Sequence, residues 1–225
     1  MPWVEVEEPY SAPPRLGVVA PSAPWSGGLE RDGGRCEVVD RAIEAAEFGL
    51  LAGDEVWLVD STASGVVFEP TDDATLDVVA SSFDRCDLSR VRLRSIETTR
   101  FRDCKLVGVD LGGATVDDVV FEGCTFGYAN LRAARLRRVQ FIDCRLDDTD
   151  GYEIDLEDVD FAGSTLRGLN VDRMRARRVD LRGAHELGLE GAGRLDGCLV
   201  SEHQIPQLMY ALAFSSGLGV EQETE

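Results

Sequence analysis

Histidine is almost missing from this sequence, and long apolar runs are missing altogether. The two histidines, His185 and His203, stand in no metal-ligand or triad spacing. The carboxylates are too regularly spaced to single out an acid–base pair. No catalytic residue, metal site or cofactor site is therefore assigned, and the reading is of a chain that is not an enzyme. The apolar stretches, such as Val18 to Ala20 and Leu208 to Phe214, fall far short of the ~20 residues that cross a bilayer. The N-terminus is rich in Pro and Glu and lacks a basic and then apolar leader. These absences point away from membranes and toward the cytoplasm. Positive charge is scarce as well: 23 Lys and Arg face 42 Asp and Glu, a net charge of −19. Such a field opposes direct binding of nucleic acid or anionic lipid and favours a protein partner with a basic surface.

The 225 residues, 44% hydrophobic and 29% charged, suit one sizeable folded domain with an attached terminal element. From Ile96 onward a large apolar residue returns at every fifth position, through Phe101, Leu106, Leu111, Val116, Phe121, Phe126, Leu131, Leu136, Phe141 and Leu146. The series skips one step and resumes with Leu156, Phe161, Leu166, Val171 and Leu181. Neither a 3.6-residue helix nor a 2-residue strand predicts that period. Two residues before each centre sits a smaller residue, as at Cys104, Val109, Ala114 and Val119, and the positions between are mostly polar. A five-residue unit with two inward and three solvated positions makes one side of a coil, and four sides close it after twenty residues. At that longer period Phe101, Phe121, Phe141 and Phe161 fall in one column, and Cys104, Cys124, Cys144 and Ser164 in its neighbour. These cysteines read as small core residues and not as a disulfide framework or metal ligands.

Upstream, the centres fall on Val78, Phe83, Leu88 and Leu93, so the step from Leu93 to Ile96 is three residues and one corner is short by two. With that deletion allowed, Phe83 joins the Phe column and Cys86 the Cys column. Ala-Asn-Leu-Arg-Ala at Ala129 to Ala133 and Val-Asp-Leu-Gly-Gly at Val109 to Gly113 match the repeat of the pentapeptide-repeat family, which the chain resembles over about half its length. The resemblance implies an all-β fold, a right-handed quadrilateral parallel β-helix. It also implies a homodimer through a C-terminal helix, and, as some members of the family do, mimicry of duplex DNA in binding and protecting DNA gyrase.

Open coil ends expose unpaired strand edges and need covers. Pro206 starts a C-terminal helix reaching about Ser216, with Gly217 as its stop. Leu208, Met209 and Leu212 form one apolar stripe, and Tyr210 and Phe214 extend apolar character to the other side. Two readings follow for the second face, a covering tail loop or a two-fold dimer. The chain divides into a loosely ordered Pro/Gly-rich segment at 1–35, a cap with degenerate coils at 36–77, the β-helix at 78–200, and a helix with an acidic tail at 201–225. Within the second part, Cys36 to Leu51 admits a capping helix as an alternative. Gly112, Gly113, Gly163, Gly168 and Gly183 read as corner residues.

Acidity is uneven: residues 1–75 hold 4 basic against 15 acidic side chains, 76–200 hold 19 against 23, and 201–225 none against 4. On the side centred on Val116, Leu136 and Leu156 the sign alternates from coil to coil, from Asp117 and Asp118 to Arg135, Arg137 and Arg138, then to Asp155, Glu157 and Asp158. Stacked ~4.8 Å apart, these rows form ladders of ion pairs. Around Arg145 the balance fails, and Asp147, Asp148, Asp150, Glu153, Asp155, Glu157 and Asp158 form a candidate acidic patch for partner docking. The leading expectation is a non-catalytic protein-interaction module; the alternative is a DNA-mimicking gyrase binder conferring quinolone-type resistance. Matching duplex DNA over ~25 Å would take on the order of fifteen net charges, and the clear coils supply −4.

Overall fold

The computed structural model describes residues 73–193, 195–215 and 217, and upstream 11, 13–16, 23, 24, 31, 32, 35–44, 47–50 and 52–70; the side chains of 23, 31, 32, 210, 214 and 215 are outside the description. The chain winds into a parallel β-solenoid of about eight turns that ends in a short helix. Sequence neighbours at a distance of twenty lie directly above one another: Thr115–Glu122 pairs with Arg135–Ile142 through Val116 to Leu136 and Phe121 to Phe141. The four sides are named here by their central residues: side 1 holds Phe121, side 2 Phe126, side 3 Leu131 and side 4 Leu136.

The five-residue period arises at the corners. In the clear coils the second residue after each centre is left-handed, for example Asp118, Gly123, Tyr128, Ala133 and Arg138, with φ of 55, 64, 56, 54 and 52°. One left-handed residue turns the chain from one side of the coil to the next, between two short extended pieces. For a residue with a Cβ this costs roughly 1 kcal/mol, so the corners must be held by the core they enclose. Gly113, Gly163 and Gly168 occupy such left-handed corners. Gly112 and Gly183 do not; a Cβ at Gly183 would lie 3.0 Å from the Ala162 backbone, so close stacking explains that glycine.

The core is continuous and columnar. Phe83, Phe101, Phe121, Phe141 and Phe161 stack with ring centroids 4.7, 5.0, 5.2 and 5.0 Å apart, and Phe126 meets Phe121 edge-on at 5.0 Å. Beside them the Cys86, Cys104, Cys124 and Cys144 thiols each donate to a carbonyl of the coil beneath and to one two residues back, as Cys124 does to Phe101 at 3.6 Å and Glu122 at 3.4 Å. Ser164 continues the column with a hydroxyl at 2.9 Å from the Phe141 carbonyl. The skipped step in the period is Gly151, a central position with no side chain. Ile154, in the column of Ala114, Ala134 and Met174, is buried and leans to within 3.5 Å of where a Gly151 Cβ would stand. Bulk has moved three residues along the chain and the space stays filled.

The short corner is real and has a physical form. Leu76 and Val78 are two residues apart, Leu93 and Ile96 three, Leu111 and Val116 five; Leu93 pairs with Leu76 and Ile96 with Val78 across a register shift. Strand Leu93–Arg102 therefore passes, between Leu93 and Ile96, without a turn through what becomes, one coil later, the corner at Gly113, and bends only at Thr98. Below it, Cys36, Val56 and Leu76 stack as partners, as do Val38, Leu58 and Val78. The described part of Cys36 to Leu51 consists of strands Arg35–Val39, Arg41–Glu44 and Glu47–Gly49, so it is coil and not a capping helix.

Both ends are covered. Strand Ala23–Pro24 pairs with Arg41 and Ala42 under the first coil. At the far end, a 3-10 turn, Glu202–Gln204, leads into helix α1, Ile205–Ser215, with Pro206 in its first turn. Gln204 is fully buried, and its amide nitrogen donates to the Leu181 and Ala184 carbonyls, both at 2.8 Å. The Gln207 carbonyl oxygen accepts from the Leu187 amide at 2.8 Å. The two glutamines take the places a further coil would fill. Of the segments expected to be loosely ordered, 221–225 and most of 1–35 lie outside the described residues.

Candidate functional site

The seven carboxylates of the acidic coil are distributed around the solenoid rather than gathered. Asp147 and Asp148 follow the side 2 centre Leu146, Asp150 and Glu153 flank Gly151 on side 3, and Asp155, Glu157 and Asp158 lie on side 4. Most are paired with arginines one coil away. Asp150 meets Arg132 at 2.7 Å, Glu153 meets Arg173 at 3.3 Å, Asp155 meets Arg175 at 3.3 Å, and Asp158 is held by Arg178 through two contacts of 2.5 Å. Glu157 pairs with Arg177 and Arg178, and Asp147 with Arg145 at 2.8 Å.

Side 4 shows the alternation at its fullest. Arg138 grips Asp118 with two contacts of 2.6 Å and reaches Asp117, which Arg137 also engages. The Arg138 hydrogen bond is the main reason the Asp118 carboxyl sits below its usual range, and the Arg15 amide, 2.9 Å away, adds to it. Between the rows Thr115, Arg135, Asp155 and Asp117, Arg137, Glu157 runs a shallow groove floored by Val116 and Leu136. Side 3 carries a second ladder, in which Asn130 bridges to Asp110 at 2.7 Å and Asn170 to Asp150 at 3.0 Å. Burial pulls the Asp150 carboxyl upward, but Arg132, the Tyr152 amide and Asn170 outweigh it and hold it low. The neighbouring Cys124 thiol and burial push the Cys104 thiol up to about 12, far from thiolate reactivity. His185 and His203 are both exposed.

The helix residues separate. Leu208 is buried on the solenoid end, whereas Met209 (62%) and Leu212 (41%) are exposed and align with Ile205 (41%). The side chains of Tyr210 and Phe214 lie outside the described residues. The sequence reading missed Ile205 and the two capping glutamines. It also missed Tyr128, 72% exposed with Val107 (37%) in the coil beneath. The only available signal was an aromatic at a corner position otherwise held by small or charged residues.

Residues 94–171 match the sequence model of the family described as Pentapeptide repeat region. No curated protein matches the chain. Among solved structures, QnrB1 in a trypsin-treated form, described as a plasmid-mediated fluoroquinolone resistance protein, is 16% identical, with 82% of this chain and 100% of that one covered and a TM-score of 0.49. The pentapeptide repeat protein Rfr23 from the cyanobacterium Cyanothece 51142 is also 16% identical, with 45% and 64% covered and a TM-score of 0.33. Among the described residues no helix is long and apolar enough to cross a membrane.

Proposed function

The chain is a pentapeptide-repeat protein, and from that premise we propose that it is a non-catalytic module that binds a protein partner. A filled core leaves a solenoid only its outer surface to work with, and this one holds charged side chains at fixed spacings in two dimensions. The observation that carries the reading is side 4, where alternating rows of carboxylate and guanidinium border a groove. The partner is a protein whose basic groups meet Asp155 and Glu157 and whose acidic groups meet the arginines between; Asp158, buried under Arg178, sets the position of that arginine and does not itself face the partner. Asp147, Asp148, Asp150 and Glu153 extend the acidic coil around the other sides and reach a partner only if it wraps the solenoid.

The alternative is a DNA-mimicking binder of gyrase. It needs an unbroken acidic surface, and the internal ion pairs of the coils weigh against it. A homodimer through helix α1 is part of the proposal, supported by the outward alignment of Ile205 and Met209. The test is cross-linked capture on the immobilised chain, beside a variant carrying Asp155→Asn, Glu157→Gln and Asp158→Asn. Proteins retained by the natural chain and lost by the variant are expected; equal retention overturns side 4 as the surface. Supercoiling by DNA gyrase, assayed with the same two proteins, separates the alternative: inhibition lost in the variant would replace the module reading with mimicry.

A further inference from the structure

Most charged side chains on the coils have a partner in their own chain, which makes the exceptions on side 2 informative. One corner column of that side is Arg90, Gly108, Tyr128 and Asp148, each linked to the coil above by its backbone amide. Arg90 and Asp148 are exposed. Among the described residues neither has an ion pair. Between them stands Tyr128, in the left-handed conformation at φ 56° and 72% exposed. That conformation belongs to every corner of the clear coils; what sets Tyr128 apart is an aromatic ring left in water at a corner.

We propose that side 2 is a docking surface for a second copy of this chain, lying antiparallel and related by a two-fold axis that passes between the Gly108 and Tyr128 coils along the strand direction. This operation turns the solenoid axis around but keeps each column facing its own copy. Within the corner column it sets Tyr128 against the partner's Gly108, an aromatic knob over a position without a side chain, and Arg90 against the partner's Asp148. The exposed Val107 comes to the flank of the partner's Tyr128.

The other columns of side 2 obey the same operation, although nothing in the choice of axis used them. The column Asp87, Lys105, Thr125, Arg145 sets Asp87 against the partner's Arg145. In the column next to the corner, Glu69 falls opposite the partner's Arg167 and Ser89 opposite the partner's Asp147. The one opposition of like charge, Glu47 with Glu186, falls at the rim. From Arg90 to Asp148 is three coils, about 14 Å. That is short beside interfaces of ~800 Å² a side, so association is weak and depends on concentration. The surface is separate from helix α1 and does not rest on the partner proposed for side 4.

Sedimentation equilibrium of the full chain up to about millimolar concentration tests this, all samples carrying Met209→Asp so that helix α1 contributes nothing. The expected result is a monomer–dimer equilibrium. Arg90→Asp places two aspartates against two aspartates and Asp148→Arg two arginines against two arginines, so each variant alone should dimerise at least about tenfold more weakly. Mixed together, the two variants restore both attractive contacts, and the mixture should associate to within about threefold of the parent. Restoration requires folded protein, so it also answers for either variant failing to fold. A monomer throughout overturns the proposal, as do single variants that dimerise like the parent or a mixture no tighter than its components.

Discussion

Phe121 is the most heavily engaged ring of the core, and replacing it with Ala measures what the column contributes. It is 1% exposed, stacked between Phe101 and Phe141, and touched edge-on by Phe126. Phe161 is an internal control. It is 3% exposed and belongs to the same column, but only Phe141 stacks on it, its other neighbour in the column being Leu181. Transfer of the ring to water is common to both, so the difference between them isolates the neighbours. A buried Phe→Ala change costs about 3 to 5 kcal/mol, and each favourable ring pair adds about 0.5 to 1.5 kcal/mol beyond burial. Phe121→Ala should lie at the upper end of that range, and Phe161→Ala, with two ring pairs fewer, lower by about 1 to 3 kcal/mol. Urea unfolding followed by circular dichroism, with slopes compared to confirm the same transition, measures both. Equal losses would show that the stacked geometry adds nothing to burial, and a loss below about 2 kcal/mol for Phe121→Ala would refute the packed column itself.

Two further outcomes follow from the end cap and the ladders. Gln204→Ala leaves the Ala184 carbonyl buried without a donor and takes from the Leu181 carbonyl the second of its two, the Ala184 amide remaining, and should cost about 1 to 3 kcal/mol in the same urea assay; a loss under about 0.5 kcal/mol would show that water or the helix backbone replaces it. The Asp110, Asp118 and Asp150 carboxyls are held below their usual range, so their stabilisation is complete above the unfolded value near ~4 and is lost as pH falls through the lower folded values. Melting temperatures should be flat from pH 7 to 5 and drop below about pH 4; an unchanged value at pH 3 would contradict the role given to the ladders.

The fold was legible because its period is carried by residues that face inward. Phe101 to Phe161 and Cys104 to Ser164 had to align once the chain closed every twenty residues, and Phe83 with Cys86 located the short corner. The surface was less legible, because the sequence shows which charges stand near one another around a coil but not which side each one leaves from. Asp147 and Asp155 are eight residues apart and point away from the solenoid on opposite sides. Leu208 and Met209 adjoin in the chain and part company on the helix, one inward and one outward. Gly151 looked like a lapse in the repeat until Ile154 was seen to fill its place, an exchange that depends on depth within the tube and not on spacing along it.

The corner that grows from two residues to three to five makes the solenoid a coupling between two gauges of tube. Below strand Leu93–Arg102 two sides run together as one flat wall; above it they are separate walls meeting at an edge. A single coil bridges the two profiles without breaking the hydrogen-bonded stack, by letting one strand run through the future bend. Coils of the wider profile can therefore be added or removed above it in steps of twenty residues, whereas the narrow profile beneath needs this one adaptor. A chimaera that joined narrow coils to wide ones at any other point would have to reinvent it.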